Sequence, residues 1–143
     1  MNGKAFIDTN IYVYTQRSDD PAKTRISKMA IDKFECISST QVLNETSNIF
    51  INKYPMPHEK LIAFIDAIIA TSTVSIISIT TVKDALEISR KYKISYYDSL
   101  MIAAALENNC ELFLSEDMQD GQIILDKLKI VNIFKHTKLV AED

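Results

Sequence analysis

Two rhythms of apolar and polar residues succeed each other along the chain, and the switches between them outline its elements. The unbroken apolar run from Ala5 to Ile7 predicts a first strand, after which Ile11, Tyr12 and Val13 begin a helix that Asp8 or Thr9 can cap. Asp20 ahead of Pro21 marks a second helix, because aspartate accepts from free amides and proline suits a first turn. Ile26, Met29, Ala30 and Phe34 keep helical spacing through it. Cys36 and Ile37 form a very short second strand, and Ser38, Ser39 and Thr40 offer caps to a helix carrying Val42, Leu43, Ile49 and Phe50. Tyr54 to Pro57 ends that helix, since proline has no amide donor and disfavours helix in the residue before it.

The second half repeats the pattern. A helix is predicted from His58 toward Ala70, and a β-branched strand from Val74 to Ile79. Another helix is predicted from Thr81 with Ala85, Leu86 and Ile88, and one more near Tyr96 with Leu100, Ala103, Ala104 and Leu106 on its apolar stripe. Glu111 to Leu114 and Ile130 to Phe134 are expected as the last two strands, and 135–143 as a loose tail. Strands alternating with helices imply an α/β domain, with a mainly parallel sheet covered by helices on both faces.

Composition narrows the class. A chain of 143 residues with Gly 2 and Pro 3 suits one domain over 1–143, without linkers. Cys36 and Cys110 lie in apolar contexts without metal-ligand spacing, so they read as buried free thiols in a reducing compartment. The opening MNGKAFID lacks the apolar core of a signal peptide, and no apolar run reaches about 18 residues, so a cytoplasmic protein without a membrane partner is expected. A net charge of -3 argues against a general basic coat for nucleic acid, while leaving room for a local basic rim.

The acids carry the chemistry. In open parallel sheets functional groups collect beyond the carboxyl ends of strands, where Asp8 stands after the first strand and Ser115, Glu116 and Asp117 after the strand ending at Leu114. Glu45 belongs to a helix packed on the core, and Asp98 opens the apolar helix ISYYDSLMIAAALE. Each has a plainer use: Asp8 as a cap, Glu45 as a solvated helix residue, Asp98 as a partner of the helix dipole, Asp117 in a turn. As a set they would repel one another unless a positive charge lay among them. Oxygen ligands without a His or Cys cluster favour a hard ion, Mg²⁺ or Mn²⁺, and neither His58 nor His136 has a helical partner histidine.

Four segments, FIDTNI, STQVLNE, YYDSLMIAAAL and LFLSEDMQDG, resemble in order the motifs of the PIN-domain nucleases, and among them the VapC-like toxins of bacterial toxin–antitoxin pairs. The resemblance spans nearly the whole chain. It implies a three-layer α/β/α sandwich and a metal-dependent endoribonuclease, with Asp8, Glu45, Asp98 and Asp117 around Mg²⁺ or Mn²⁺ and Asp8 and Asp98 as main ligands. Thr9, Asn10, Ser115 and Asp120 become supporting polar groups, and SEDMQDG leaves Glu116, Asp117 and Asp120 as alternatives for the fourth acid. An RNA substrate, a homodimer and an antitoxin partner are implied in the same way.

Arg17, Lys23, Arg25 and Lys28 follow the Asp8 segment and are candidates for an RNA-binding rim, or else a solvated helix face. Tyr12, Tyr14, Tyr96 and Tyr97 are candidates for stacking on unpaired bases or for packing. Two rivals differ in class. An aspartate-based phosphotransfer domain accounts for Asp8 but not for Asp98, and a binding or assembly module that has lost catalysis would need none of the four acids.

Overall fold

The computed structural model describes residues 3–141. The elements follow in the order β1 (Lys4–Ile7), α1 (Thr9–Thr15), α2 (Pro21–Lys33), β2 (Glu35–Ser39), α3 (Thr40–Asn52), α4 (His58–Thr71), β3 (Thr73–Ser75), α5 (Ile79–Tyr92), α6 (Tyr96–Glu107), β4 (Leu112–Leu114), β5 (Ile123–Ile124) and β6 (Leu128–Val131). A 3-10 turn covers Thr137–Leu139. The sheet has the order β3-β2-β1-β4-β6-β5, parallel throughout except for the final β5–β6 pair. Helices flank this mainly parallel sheet, the α/β architecture that the alternating pattern predicts.

The sheet centre is dry. Ala5, Phe6 and Ile7 of β1 and Phe113 and Leu114 of β4 have no exposed surface, and the rings of Phe6 and Phe113 stack at 5.0 Å. Because β1 is covered on both faces, its side chains are apolar in succession rather than in alternation. α6 is enclosed as well: Ser99 through Ala105 are all buried, and the small side chains Ala103, Ala104 and Ala105 allow α5 and the sheet to approach closely. That close fit fixes the helix whose first turn bears Asp98. Cys36 and Cys110 are buried free thiols, and burial pushes them up to about 11 and about 12 respectively.

Local chemistry moves several boundaries. The strand expected over Val74–Ile79 stops at Ser75, because the Ser78 hydroxyl accepts from the Thr81 amide while the Thr81 hydroxyl accepts from the Ser78 amide. This reciprocal cap starts α5 at Ile79, two residues before the expected Thr81, and leaves Ile76 and Ile79 exposed. The last strand runs over Leu128–Val131 rather than Ile130–Phe134. The Asn132 amide donates to Asp120 and the Asn132 side chain accepts from the Phe134 amide, which ends the ladder there.

β5 is a strand the pattern does not reveal. Its turn carries Leu125 and Asp126 at φ 50° and 56°, a left-handed pair without the glycine that normally announces it. The closing segment is also more ordered than a loose tail: Val140 is buried in the core, and Lys33 donates to the Ala141 carbonyl. Glu142 and Asp143 of that segment lie outside the described residues. Among the described residues no helix is long and apolar enough to cross a membrane.

Candidate active site

Strand register brings the first pieces together. Ile7 pairs with Leu114, the Asp8 amide donates to the Leu114 carbonyl, and Asp8 therefore leaves β1 beside Ser115 leaving β4. Asp8 serves as the N-cap of α1, one of the two caps the sequence offers. Its Oδ1 accepts from the Thr9 amide at 2.7 Å and its Oδ2 from the Ser115 hydroxyl at 2.6 Å.

Only 5% of Asp8 is exposed. Loss of solvation pushes its carboxyl up to about 7, against the opposing pull of the Ser115 and Thr9 hydrogen bonds and with help from the neighbouring charges of Asp98 and Glu45. Asp8 is thus a buried acid whose ionisation at neutral pH a nearby positive charge would favour.

Asp8, Glu45, Asp98, Glu116 and Asp117 line one cleft of about 360 Å³. Glu45 points there from α3, where Thr9 Oγ1 donates to its Oε1 at 3.3 Å and Gln41 Nε2 to its Oε2 at 2.9 Å. Asp98 sits in the first turn of α6, its amide donating to the capping hydroxyl of Ser95. Asp117 is exposed on the loop after β4 and accepts from Asn10 Nδ2 at 3.1 Å. Thr9, Asn10 and Ser115 each hold one or two acids by hydrogen bonds.

Asp120, expected among the supporting groups, lies outside the cleft lining. The Asn132 amide and then the His136 ring hold its carboxyl below the usual range, so Asp120 is spent on fixing the end of β6. Glu116 reaches the cleft but is already engaged. Tyr14 Oη donates to its Oε1 at 2.6 Å and Lys23 Nζ to its Oε2 at 2.5 Å, which leaves Asp117 as the less occupied of the two.

Among the described residues no three acid, His or Cys side chains converge as a closed metal cage. The cleft offers carboxylates from separate elements, and beside them Asn10 Oδ1 is buried without a protein partner. An ion that keeps several of its waters and takes one or two carboxylates directly fits such an arrangement, which is the habit of Mg²⁺.

The basic candidates divide. Arg17 lines the acid cleft and Lys23 reaches its edge through Glu116, whereas Arg25 and Lys28 line only the neighbouring groove along α2, which Arg17 borders as well. Two cleft residues escape the sequence reading, Lys53 and Tyr54 at the end of α3. Their signal is spacing: Glu45, Ile49 and Lys53 recur every fourth residue, on the helix face that also carries the acid. Of the tyrosines, Tyr12 is buried, Tyr14 lines the cleft, and Tyr97 is exposed beside Tyr96.

A family model described as PIN domain matches residues 5–123. No curated protein matches the chain significantly in sequence. Solved structures share its fold at low identity. Mycobacterium tuberculosis VapC20, a sarcin-ricin loop cleaving toxin, is 18% identical with TM-score 0.63, covering 76% of this chain and 86% of its own. A toxin-antitoxin complex from Klebsiella pneumoniae is 20% identical with TM-score 0.65, covering 90% and 96%. VapBC2 from Rickettsia felis, bound to a DNA fragment from its promoter, is 15% identical with TM-score 0.65, covering 90% and 99%.

Proposed function

This chain belongs to the PIN-domain family, and from that premise we propose that it is a divalent-metal-dependent endoribonuclease, the toxin of a toxin–antitoxin pair. The observation that carries the reading is the cleft, in which Glu45, Asp98 and Asp117 from three separate segments join the buried Asp8. Asp8 and Asp98 would hold Mg²⁺ or Mn²⁺, with Glu45 and Asp117 completing the acidic wall. Bound there, the ion supplies positive charge to the phosphate and the leaving oxygen and makes a water more acidic.

The protein's own groups set the stage for that step. Ser115 and the Thr9 amide keep both oxygens of Asp8 in place, and Thr9 and Gln41 do the same for Glu45. An acid not engaged with the ion would orient the attacking water and accept its proton. Arg17 and Lys23 would meet the RNA backbone at the edge of the cleft. The fold shared with a toxin-antitoxin complex supports an antitoxin partner for this chain, and a cytoplasmic homodimer completes the proposal.

The test is cleavage of a mixed pool of tRNA, rRNA and mRNA with Mg²⁺ or Mn²⁺, with ends mapped by sequencing. Asp98→Asn and Asp8→Asn should abolish cleavage while keeping the circular dichroism of the parent. Activity within a few-fold of the parent in either variant sinks the assignment, and phosphate transferred to Asp8 from a small donor without RNA cleavage would favour a phosphotransfer domain.

A further inference from the structure

The acids of the cleft differ in how firmly the fold holds them. Asp8, Glu45 and Asp98 stand at a strand end or on helices, whereas Asp117 rides on the loop over 115–121 that leads from β4 to the β5–β6 hairpin. Both ends of this loop join β6 through the backbone: the Ser115 amide donates to the Val131 carbonyl at 3.0 Å, and the Gly121 amide to the Ile130 carbonyl at 2.7 Å. Between those ends, Glu116, Asp117 and Met118 make no backbone–backbone hydrogen bond among the described residues.

Asn132, just beyond β6, supplies what the loop lacks. Its backbone amide donates to Asp120 Oδ1 at 2.9 Å, its Nδ2 donates to the Glu116 carbonyl at 3.3 Å, and its Oδ1 accepts from the Phe134 amide at 2.9 Å. Asp120 Oδ2 in turn meets His136 Nε2 at 2.7 Å. Asn132 is 7% exposed, so a single buried residue grips the loop on both sides of Asp117. Ending β6 does not require this residue type, because aspartate or serine would accept from the Phe134 amide as well. What distinguishes asparagine is the Nδ2 donor, and it goes to the loop. The tie to Phe134 serves the same end: the Phe134 ring packs edge-on against Tyr14 at 5.4 Å, and Tyr14 donates to Glu116.

We infer that Asn132 is a positioning residue for the acid cleft: by holding the Glu116 carbonyl and the Asp120 carboxylate it fixes the loop between them, and with it the reach of Asp117 toward the ion. The inference rests on the ribonuclease reading and adds to it a residue outside the cleft lining. A carboxylate that must meet an ion or its water works in a narrow geometry, and a displacement of about 1 Å can cost about 100-fold in rate. Partners that orient metal-binding groups without touching the metal are worth about 10- to 100-fold in affinity or activity. Without Asn132 the loop around Asp117 would keep side-chain ties to Tyr14, Lys23 and Asn10, and the last of these is exposed.

The test uses the full chain. Asn132→Ala should lower kcat for RNA cleavage with Mn²⁺ by about 10- to 100-fold and keep KM for RNA within about twofold. Mn²⁺ binding without RNA, followed by electron paramagnetic resonance, should weaken by no more than Asp117→Asn weakens it. In the Asp117→Asn background Asn132→Ala should cause no further loss of either, because a residue that acts through Asp117 has nothing left to position. In nitrogen-15 relaxation, the amide order parameters of Glu116 to Met118 should fall from about 0.85 toward about 0.6 in Asn132→Ala. Should Asn132→Ala fold poorly, half-buried Asp120 gives a second arm. Asp120→Ala should reproduce these effects, and Asp120→Asn, which keeps an acceptor for the Asn132 amide, should restore most of the loss.

The inference is overturned where the variants leave kcat and Mn²⁺ affinity within twofold of the parent, where KM alone moves, or where the losses are as large in the Asp117→Asn background. A parent that neither binds Mn²⁺ nor cleaves RNA overturns the ribonuclease reading itself. The order parameters then still decide whether Asn132 holds the loop, and unchanged values in Asn132→Ala would sink that as well, so the two failures are distinguishable.

Discussion

Asp8 is asked to cap a helix, to stay buried and to carry charge, and these demands conflict. Its folded-state pKa of about 7 lies above the ordinary 3.8, so the unfolded state gives up this proton first as pH rises. The stability held below about pH 4 is therefore lost as pH climbs through about 7 in the metal-free protein. Asp8→Asn removes that loss. In urea titrations with a chelator present, the variant should be more stable than the parent at pH 8 by roughly 2 to 4 kcal/mol, and the difference should vanish toward pH 4. Ser115→Ala acts in the opposite sense, because the 2.6 Å hydrogen bond favours the charged form of Asp8. The acidic limb of its rate–pH profile should move to higher pH than the parent's, which rate measurements between pH 5 and 8 will show.

Elements turn those side chains into a site, and α6 has the narrowest tolerance. Ala104 has no exposed surface and lies in a helix packed on α5 and the sheet, so Ala104→Leu must push neighbours apart. Overpacking should cost about 1 to 3 kcal/mol in urea denaturation and lower cleavage further by displacing Asp98 from the cleft. Such elements were largely legible. Asp20–Pro21 announces α2, serines announce α3, and the apolar density around Leu100–Leu106 announces a buried helix with an acid at its head, whereas the Ser78 cap of α5 lay hidden inside the expected strand. What was not legible depends on partners distant in sequence. The β5 hairpin rests on Leu125 and Asp126 at positive φ, which glycine or asparagine would have signalled. The end of β6 is set by Asp120 reaching Asn132, and the same contact explains why Asp120 is not at the cleft. Asp8 and Asp98 can be picked out one by one from strand-end and helix-start positions, whereas the stacking of Arg17 on Tyr54 joins the segments that follow α1 and α3 and has no local signature.

At the scale of the whole molecule, ion binding and folding share one free energy. A site whose buried acid resists ionisation is stabilised by any cation that binds the folded state alone, and the gain follows the logarithm of ligand over dissociation constant. At ten times that constant, Mg²⁺ or Mn²⁺ should add about 1.4 kcal/mol, which for a chain of this length corresponds to a rise in Tm of about 4 to 5 °C. Because the ligands must lose their protons first, the rise should be full at pH 8 and shrink as pH falls through about 7, where Asp8 regains its proton. Asp8→Asn and Asp98→Asn should show little rise at either pH, although the first starts from a more stable protein at pH 8. Differential scanning calorimetry of parent and variants with chelator or with each ion separates the two effects. A rise of equal size in parent and variants would mean that the ion binds elsewhere, and that the acids of the cleft are not its ligands.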